Sequence, residues 1–260
     1  MPAPKNLAKV EGLLLDLDGV VHVRDKPVPG SLEAIGRLRA AKIPFRFVTN
    51  TTRRPRRKIV EGLFALGLVV AEDELFTPAS LTRDLLGKRG RAPLLVIHPD
   101  LREDFVGVAE GADAVVIGDA GENFTYDALN GAFRALSHGA EFFALARNRN
   151  FLDADGELSL DVGGFVAALE YASAREATVI GKPSREFFHA AVEALNVPER
   201  NVLMVGDDAE ADVGGAMAAG LLGVLVKTGK YRAGQEKGLF TPPTLIADDL
   251  AAIVELLLEE

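Results

Sequence analysis

The chain has 260 residues and a formal net charge of −9, from 29 basic against 38 acidic side chains, which excludes as a default a protein held to nucleic acid by a broad basic face. At 48% hydrophobic and 26% charged it has the composition of a folded globular protein, with room for one large domain or two small ones. With no cysteine there is no disulfide, thiolate metal site or cysteine nucleophile, and His22, His98, His138 and His189 show no ligand spacing, so a bound metal must be held by carboxylates and be a hard ion such as magnesium.

Leu13-Leu14-Leu15, ahead of Asp16-Leu17-Asp18-Gly19, predicts a strand buried on both faces. A helix follows over about Ser31–Lys42, with Leu32, Ile35 and Leu38 on one side and Ser31 as N-cap. Phe45–Val48 is the next strand. Ile59 with Leu63 and Val60 with Phe64 then set the i, i+4 spacing of a helix closed by Gly67. In the middle of the chain Leu94–Ile97, Ala114–Ile117 and Phe142–Leu145 read as strands, and Tyr126–Leu136 as a helix. Val179-Ile180, a helix over Glu186–Leu195, the strand Val202–Val205, a helix over Glu210–Ala219 and the strand Leu222–Val226 continue the rhythm. This alternation predicts an α/β fold with a Rossmann-like, doubly wound parallel-sheet core.

The polar residues with chemical character occur before residue 51 and after residue 181. Two outer segments, 1–78 and 180–260, are therefore expected to form one discontinuous catalytic core, with 79–179 inserted as an α/β cap over the site.

In open parallel sheets ligands bind beyond the carboxyl ends of strands, so the residues just after each apolar run carry the interest. There stand Asp16 and Asp18, then Thr49 and Asn50, then Gly181-Lys182-Pro183, then Gly206-Asp207-Asp208 followed by Asp212. A carboxylate nucleophile, a proton carrier, a hydroxyl, a cation and further acids are the inventory of a metal-dependent phosphoryl-transfer site. Two unit charges about 4 Å apart repel by about 4 kcal/mol at an effective dielectric near 20. Asp16, Asp18 and Asp207 therefore cannot converge ionised without a counter-charge, which Lys182 supplies in part and Mg2+ completes.

Each element has a plainer alternative. Asp18-Gly19 is a common turn signal, and Asp153-Ala154-Asp155-Gly156 repeats the tetrapeptide pattern where a plain turn is expected. Thr49 or Asn50 alone suits a helix N-cap, and Asp207 to Asp212 suits a helix N-terminus. Arg53, Arg54, Arg56, Arg57 and Lys58 read as a solvated face or as an attractor for an anionic partner. It is the four groups together, in order, that favour chemistry.

Asp16-Leu17-Asp18-Gly19-Val20, Thr49-Asn50, Gly181-Lys182-Pro183 and Gly206-Asp207-Asp208 with Asp212 resemble the four ordered motifs of the haloacid dehalogenase superfamily. The resemblance runs over nearly the whole chain. It is greatest to the NagD-like or 4-nitrophenyl phosphatase group, which has a large α/β cap between the second and third motifs; Asp212–Ala216 and Val226–Arg232 look like members of that group too. What the resemblance implies is Asp16 as nucleophile, forming an aspartyl-phosphate, and Asp18 as the acid and base that protonates the leaving oxygen and activates water. It implies Mg2+ held by Asp16, the carbonyl of Asp18 and Asp207, with Asp208 and Asp212 near or behind it. Thr49 and Asn50 would bind phosphoryl oxygens, and Lys182 would pair with both phosphate and nucleophile. The implied activity is hydrolysis of a phosphate monoester, phosphoamide or pyrophosphate of a small molecule. Asp18 favours phosphatase over dehalogenase, since an alkoxide needs a proton and a halide does not.

Other classes fit less of the sequence. A phospho-acceptor signalling module would use a similar acidic cluster but has no need of Asp18 or of a long cap, and an inactive phosphate-binding protein has no need of the full motif set. Met1–Val10 lacks the features of a signal peptide, and the longest uncharged stretch, Val213–Val226, is shorter than the roughly 17–25 residues of a membrane helix. The expected protein is cytoplasmic, without membrane or nucleic-acid partners, and leaves room for a homodimer.

Overall fold

The computed structural model describes residues 7–152 and 157–258. Residues 153–156, where Asp153-Ala154-Asp155-Gly156 is expected to turn, lie outside the described residues, as do 1–6 and 259–260. The chain divides into two compact units: Met1–Thr49, Val60–Phe76 and Lys182–Glu260 form the first, Asn50–Ile59 and Thr77–Gly181 the second.

The first unit is built on a six-stranded sheet, all parallel, in the order Leu245–Ala247, Leu222–Val226, Val202–Gly206, Gly12–Asp16, Phe45–Val48, Leu75–Phe76. Gly12–Asp16 and Val202–Gly206 are buried along their whole length, which is what a strand covered on both faces requires and why they read as unbroken apolar runs. From the central Gly12–Asp16 strand the chain moves outward through Phe45–Val48 to Leu75–Phe76. It later resumes on the other side at Val202–Gly206. The strand order thus reverses between Gly12–Asp16 and Val202–Gly206, which opens a crevice at their carboxyl ends.

The second unit has its own four-stranded parallel sheet, ordered Thr178–Val179, Glu141–Ala144, Ala114–Ile117, Pro93–Val96. Successive side chains feed opposite faces. Val115, Ile117, Phe142 and Ala144 pack with Ala132, Leu136 and Val166 from the helices Tyr126–Ser137 and Val162–Ser173. Ala114, Val116 and Phe143 pack on the other side with Ala79 and Leu86 from the helix Pro78–Arg89, and with Leu101 and Phe105.

Several local expectations are corrected. Ser31 begins its helix but does not cap it: Gly30 is the N-cap residue, and the Ser31 hydroxyl donates to the Val21 carbonyl at 2.8 Å. Ser184 caps the later helix Arg185–Glu193, accepting from the Phe187 N–H. The expected helix over Glu210–Ala219 is a π-helical turn, Ala209–Gly214, running into a short α-helix, Gly215–Ala218.

The expected core boundary at residue 78 also gives way, because Asn50–Ile59 packs with the second unit. The reason is the basic cluster. Arg53 pairs with Asp119 at 3.3 Å, Arg57 with Glu103 at 2.7 Å and Lys58 with Asp100 at 2.6 Å. Both carboxylate oxygens of Asp104 accept from the Arg56 backbone N–H, at the start of the helix Arg56–Ala65. These acids offset the cations that would otherwise oppose the helix dipole.

Candidate active site

Asp16 is the last residue of the central strand, and its neighbour across the sheet is Val48, so Thr49 leaves the adjacent strand beside it. On the other side Leu15 pairs with Val205, which places Asp207 two residues beyond the matching position. The strand order therefore brings the first, second and fourth motifs to one end of one sheet. The third arrives differently. Gly181-Lys182-Pro183 follows Thr178–Val179, an edge strand of the second unit's sheet, and Lys182 opens the last segment of the first unit.

Lys182 is the hub of the charge cluster. Its buried ammonium donates to Asp16 Oδ1 at 2.7 Å and lies 2.6 Å from Asp212 Oδ1. Ligand oxygens of Asp16, Asp207 and Asp212 all lie within 4.8 Å of one another, and all three residues are buried. Asp212, expected near or behind a metal, thus stands level with the other two. The π-helical turn delivers it there: the Val213 N–H reaches back five residues to the Asp208 carbonyl at 3.3 Å, and Asp212 Oδ2 accepts from the Asp208 N–H at 3.1 Å. Such widened turns recur at functional sites because they re-aim one side chain.

Burial dominates the electrostatics. It raises Asp16 above the ordinary 3.8 against the pull of Lys182, with Asp207 and Asp18 adding to the rise. Asp207 is pushed up to about 6 by burial, opposed by the Lys230 backbone N–H. Asp212 is pushed up to about 7, by burial and then by Asp16, against Lys182. For Lys182 burial works to lower the value, but Asp16 and Asp212 outweigh it and hold the ammonium charged. Three buried carboxylates have one buried lysine among them, with Lys230 acting on Asp207 from nearby, so the ionised cluster lacks positive charge. Asp207 Oδ1 is buried with no hydrogen-bond partner among the described residues. An all-oxygen donor set with an unpartnered buried carboxylate oxygen suits a hard divalent cation.

The other predicted residues take distinct places. Asp18 is exposed on the turn after the strand, its carboxylate 3.7 Å from His22 Nδ1. Gly19 beside it has φ 88°, and a Cβ there would come within 2.0 Å of Asp207 Oδ2, so the Asp-Gly pair is more than a turn signal. Thr49 is buried and its N–H donates to the Phe76 carbonyl at 3.2 Å. No described helix begins at Thr49 or Asn50, so neither is an N-cap. Asn50 belongs to the second unit, where its side-chain oxygen lies against Gly181. Asp208 is the one acid of its run that caps the helical turn, its Oδ1 accepting from Glu210 and Ala211 N–H at 3.0 and 2.9 Å.

The residues with no role foreseen are Thr228, Lys230 and Gln235. They sit after the strand Leu222–Val226 and reach back to Gly19 and Asp207. The first two lie within Val226–Arg232, which stood out in the sequence only as a resemblance.

Comparison with known proteins agrees with this geometry. Family models for haloacid dehalogenase-like hydrolase and for HAD-hydrolase-like proteins match residues 13–110 and 179–253. The chain is 41% identical over 251 residues to haloacid dehalogenase-like hydrolase domain-containing protein 2 of Homo sapiens, covering 96% of each. Among solved structures it resembles a 4-nitrophenylphosphatase from Thermotoga maritima, with a TM-score of 0.88 and 29% identity over 96% of this chain and 98% of that one. It also resembles a glycerol phosphate phosphatase from Mycobacterium tuberculosis in complex with magnesium, with a TM-score of 0.84 and 28% identity over 96% and 78%. With motif order, sheet topology and carboxylate cluster all in agreement, the chain belongs to the haloacid dehalogenase-like hydrolase family, among its phosphatases.

Proposed function

We propose that this protein is a magnesium-dependent phosphatase that hydrolyses a small-molecule phosphate ester through an aspartyl-phosphate on Asp16. The observation that carries the reading is the convergence of Asp16, Asp207 and Asp212 within 4.8 Å around a single buried lysine. Asp16, Asp207 and the carbonyl of Asp18 would hold Mg2+. Bound there, the ion neutralises the carboxylates and the incoming phosphate and polarises a phosphoryl oxygen.

A carboxylate oxygen of Asp16 attacks phosphorus and the ester P–O bond breaks. Asp18 gives its proton to the departing alkoxide, then takes one from the water that hydrolyses the acyl phosphate, which returns Asp16 and releases phosphate. Lys182 orients Asp16 through its 2.7 Å hydrogen bond and offsets charge on the transferring group. Thr49 and Asn50 bind phosphoryl oxygens in this reading. Residues 79–179 act as the cap that chooses the ester, a role supported by the insertion of that segment between the second and third motifs. No described helix is long and apolar enough to cross a membrane.

The test is a panel of phosphate monoesters, phosphoamides and pyrophosphate, assayed with Mg2+ and after its removal by chelation. Turnover is expected to require the metal, and Asp16→Asn to reduce it by at least about a thousandfold, as for loss of a covalent nucleophile. Undiminished hydrolysis in the Asp16→Asn protein sinks the mechanism, and accumulation of a stable aspartyl-phosphate in the wild type favours a phospho-acceptor instead.

A further inference from the structure

We infer that the loop after the strand Leu222–Val226 is a positioning device for Asp207, and that Thr228 and Gln235 tune the affinity of the site for its divalent cation. The inference rests on the magnesium-dependent reading above.

The strand Val202–Gly206 delivers Asp207 to the crevice, but the hydrogen bonds that orient it come from a segment more than twenty residues later. The Lys230 backbone N–H donates to Asp207 Oδ2 at 2.6 Å. The Gln235 side-chain amide donates to the Asp207 backbone carbonyl at 3.1 Å. The Thr228 hydroxyl donates to the Gly19 carbonyl, which ties the loop to the turn that carries Asp18. Gly229 permits the approach: a Cβ there would lie 2.0 Å from Asp207 Oδ2 and 2.4 Å from Gly19 Cα.

The two carboxylate oxygens of Asp207 therefore have opposite fates. Oδ2 is engaged by a backbone donor, which fixes the carboxylate plane, while Oδ1 is left buried with no hydrogen-bond partner among the described residues. A backbone amide is also a donor that no substitution at residue 230 other than proline removes. What substitution can remove are the two tethers that hold the amide in place, and both belong to Thr228 and Gln235. Among the described residues neither side chain hydrogen-bonds to a carboxylate of the cluster, so each acts through the placement of Asp207. Partners that orient a metal ligand are typically worth about 10–100-fold in metal affinity.

The test is Mg2+ titration of the full chain, followed by thermal shift and by calorimetry, for the wild type, Thr228→Val, Gln235→Ala, the conservative Thr228→Ser, and Asp207→Asn as control. The half-saturating Mg2+ concentration is expected to rise about tenfold in Thr228→Val and Gln235→Ala and to stay near wild type in Thr228→Ser. Asp207→Asn should lose the response, and excess Mg2+ should recover hydrolysis in the two loop variants. The two variants cut separate tethers, so loss of folding in one leaves the other to decide. Wild-type Mg2+ affinity in a folded loop variant overturns the positioning role and leaves the phosphatase reading standing. A wild type that does not respond to Mg2+ overturns that reading and the loop's assignment together.

Discussion

The protein carries two concentrations of charge, and they are built on opposite rules. In the first unit Lys182, Asp16 and Asp212 have side chains only 3, 8 and 1% exposed, and three buried acids have one buried lysine among them. In the second unit Arg57 pairs with Glu103 and Lys58 with Asp100, their side chains 49, 41, 43 and 44% exposed. Exposed pairs exchange water for one another at little net gain. Buried ions cannot recover their hydration unless another charge supplies it. The exposed ion pairs are therefore not where charge has most effect. The exposed cluster fastens a chain segment, whereas the buried one gathers three carboxylates about one buried lysine.

The sharpest way to break this contrast is to remove the hub. Lys182→Ala should destabilise the metal-free protein by about 3–5 kcal/mol, the usual cost of leaving buried charge uncompensated, measured by urea denaturation. Added Mg2+ should restore part of the loss. A change below about 1 kcal/mol would show that the acids are not held ionised around the lysine.

A second test uses pH. The folded-state values of Asp207 and Asp212 are raised, to about 6 and about 7, from the ordinary 3.8. A raised acid binds more protons in the folded than in the unfolded state, so its contribution is fully present below 3.8 and is lost as pH rises through the folded value. The metal-free protein should therefore lose stability between about pH 4 and pH 7, and Asp212→Asn should flatten that slope. Stabilisation by Mg2+ should accordingly be larger at pH 7.5 than at pH 5. Melting curves across this range check the sign, and a wild-type slope unchanged in Asp212→Asn contradicts it.

The smallest effects belong to the second unit. Asp104→Ala removes the carboxylate that accepts from the Arg56 N–H and should cost about 1 kcal/mol, as loss of a helix cap does. Arg57→Ala, by contrast, should shift the melting temperature hardly at all and less still in high salt. If Arg57→Ala proves the costlier of the two, the segment is held by its side-chain ion pairs and not by its backbone cap.

Much of the first unit was legible because its determinants are local. Buried parallel strands show as unbroken apolar runs, and Asp16, Asp18, Thr49 and Asp207 announce themselves by following such runs directly. Lys182 was equally visible as a motif, and so was a strand at Val179-Ile180 before it, but not the sheet that this strand joins: Thr178–Val179 belongs to the second sheet, and so short a run carries no mark of that. Ser31 was misjudged as a cap because its hydroxyl prefers a carbonyl ten residues back. The basic run 53–58 looked solvated because its partners, Asp100, Glu103, Asp104 and Asp119, lie some fifty residues on in other elements.

The sequence by itself therefore determined the α/β class, the order of the motifs and the kind of chemistry, since each depends on residue type and nearest neighbours. Only the tertiary structure decided that Asp212 stands level with Asp16 and Asp207, that Asn50–Ile59 packs with the second unit, and that the segment from Thr228 to Gln235 orients Asp207. Each of these depends on backbone geometry that joins residues far apart in the chain: a π-helical turn, an ion-paired segment, and a loop whose glycine lies against both Gly19 and Asp207.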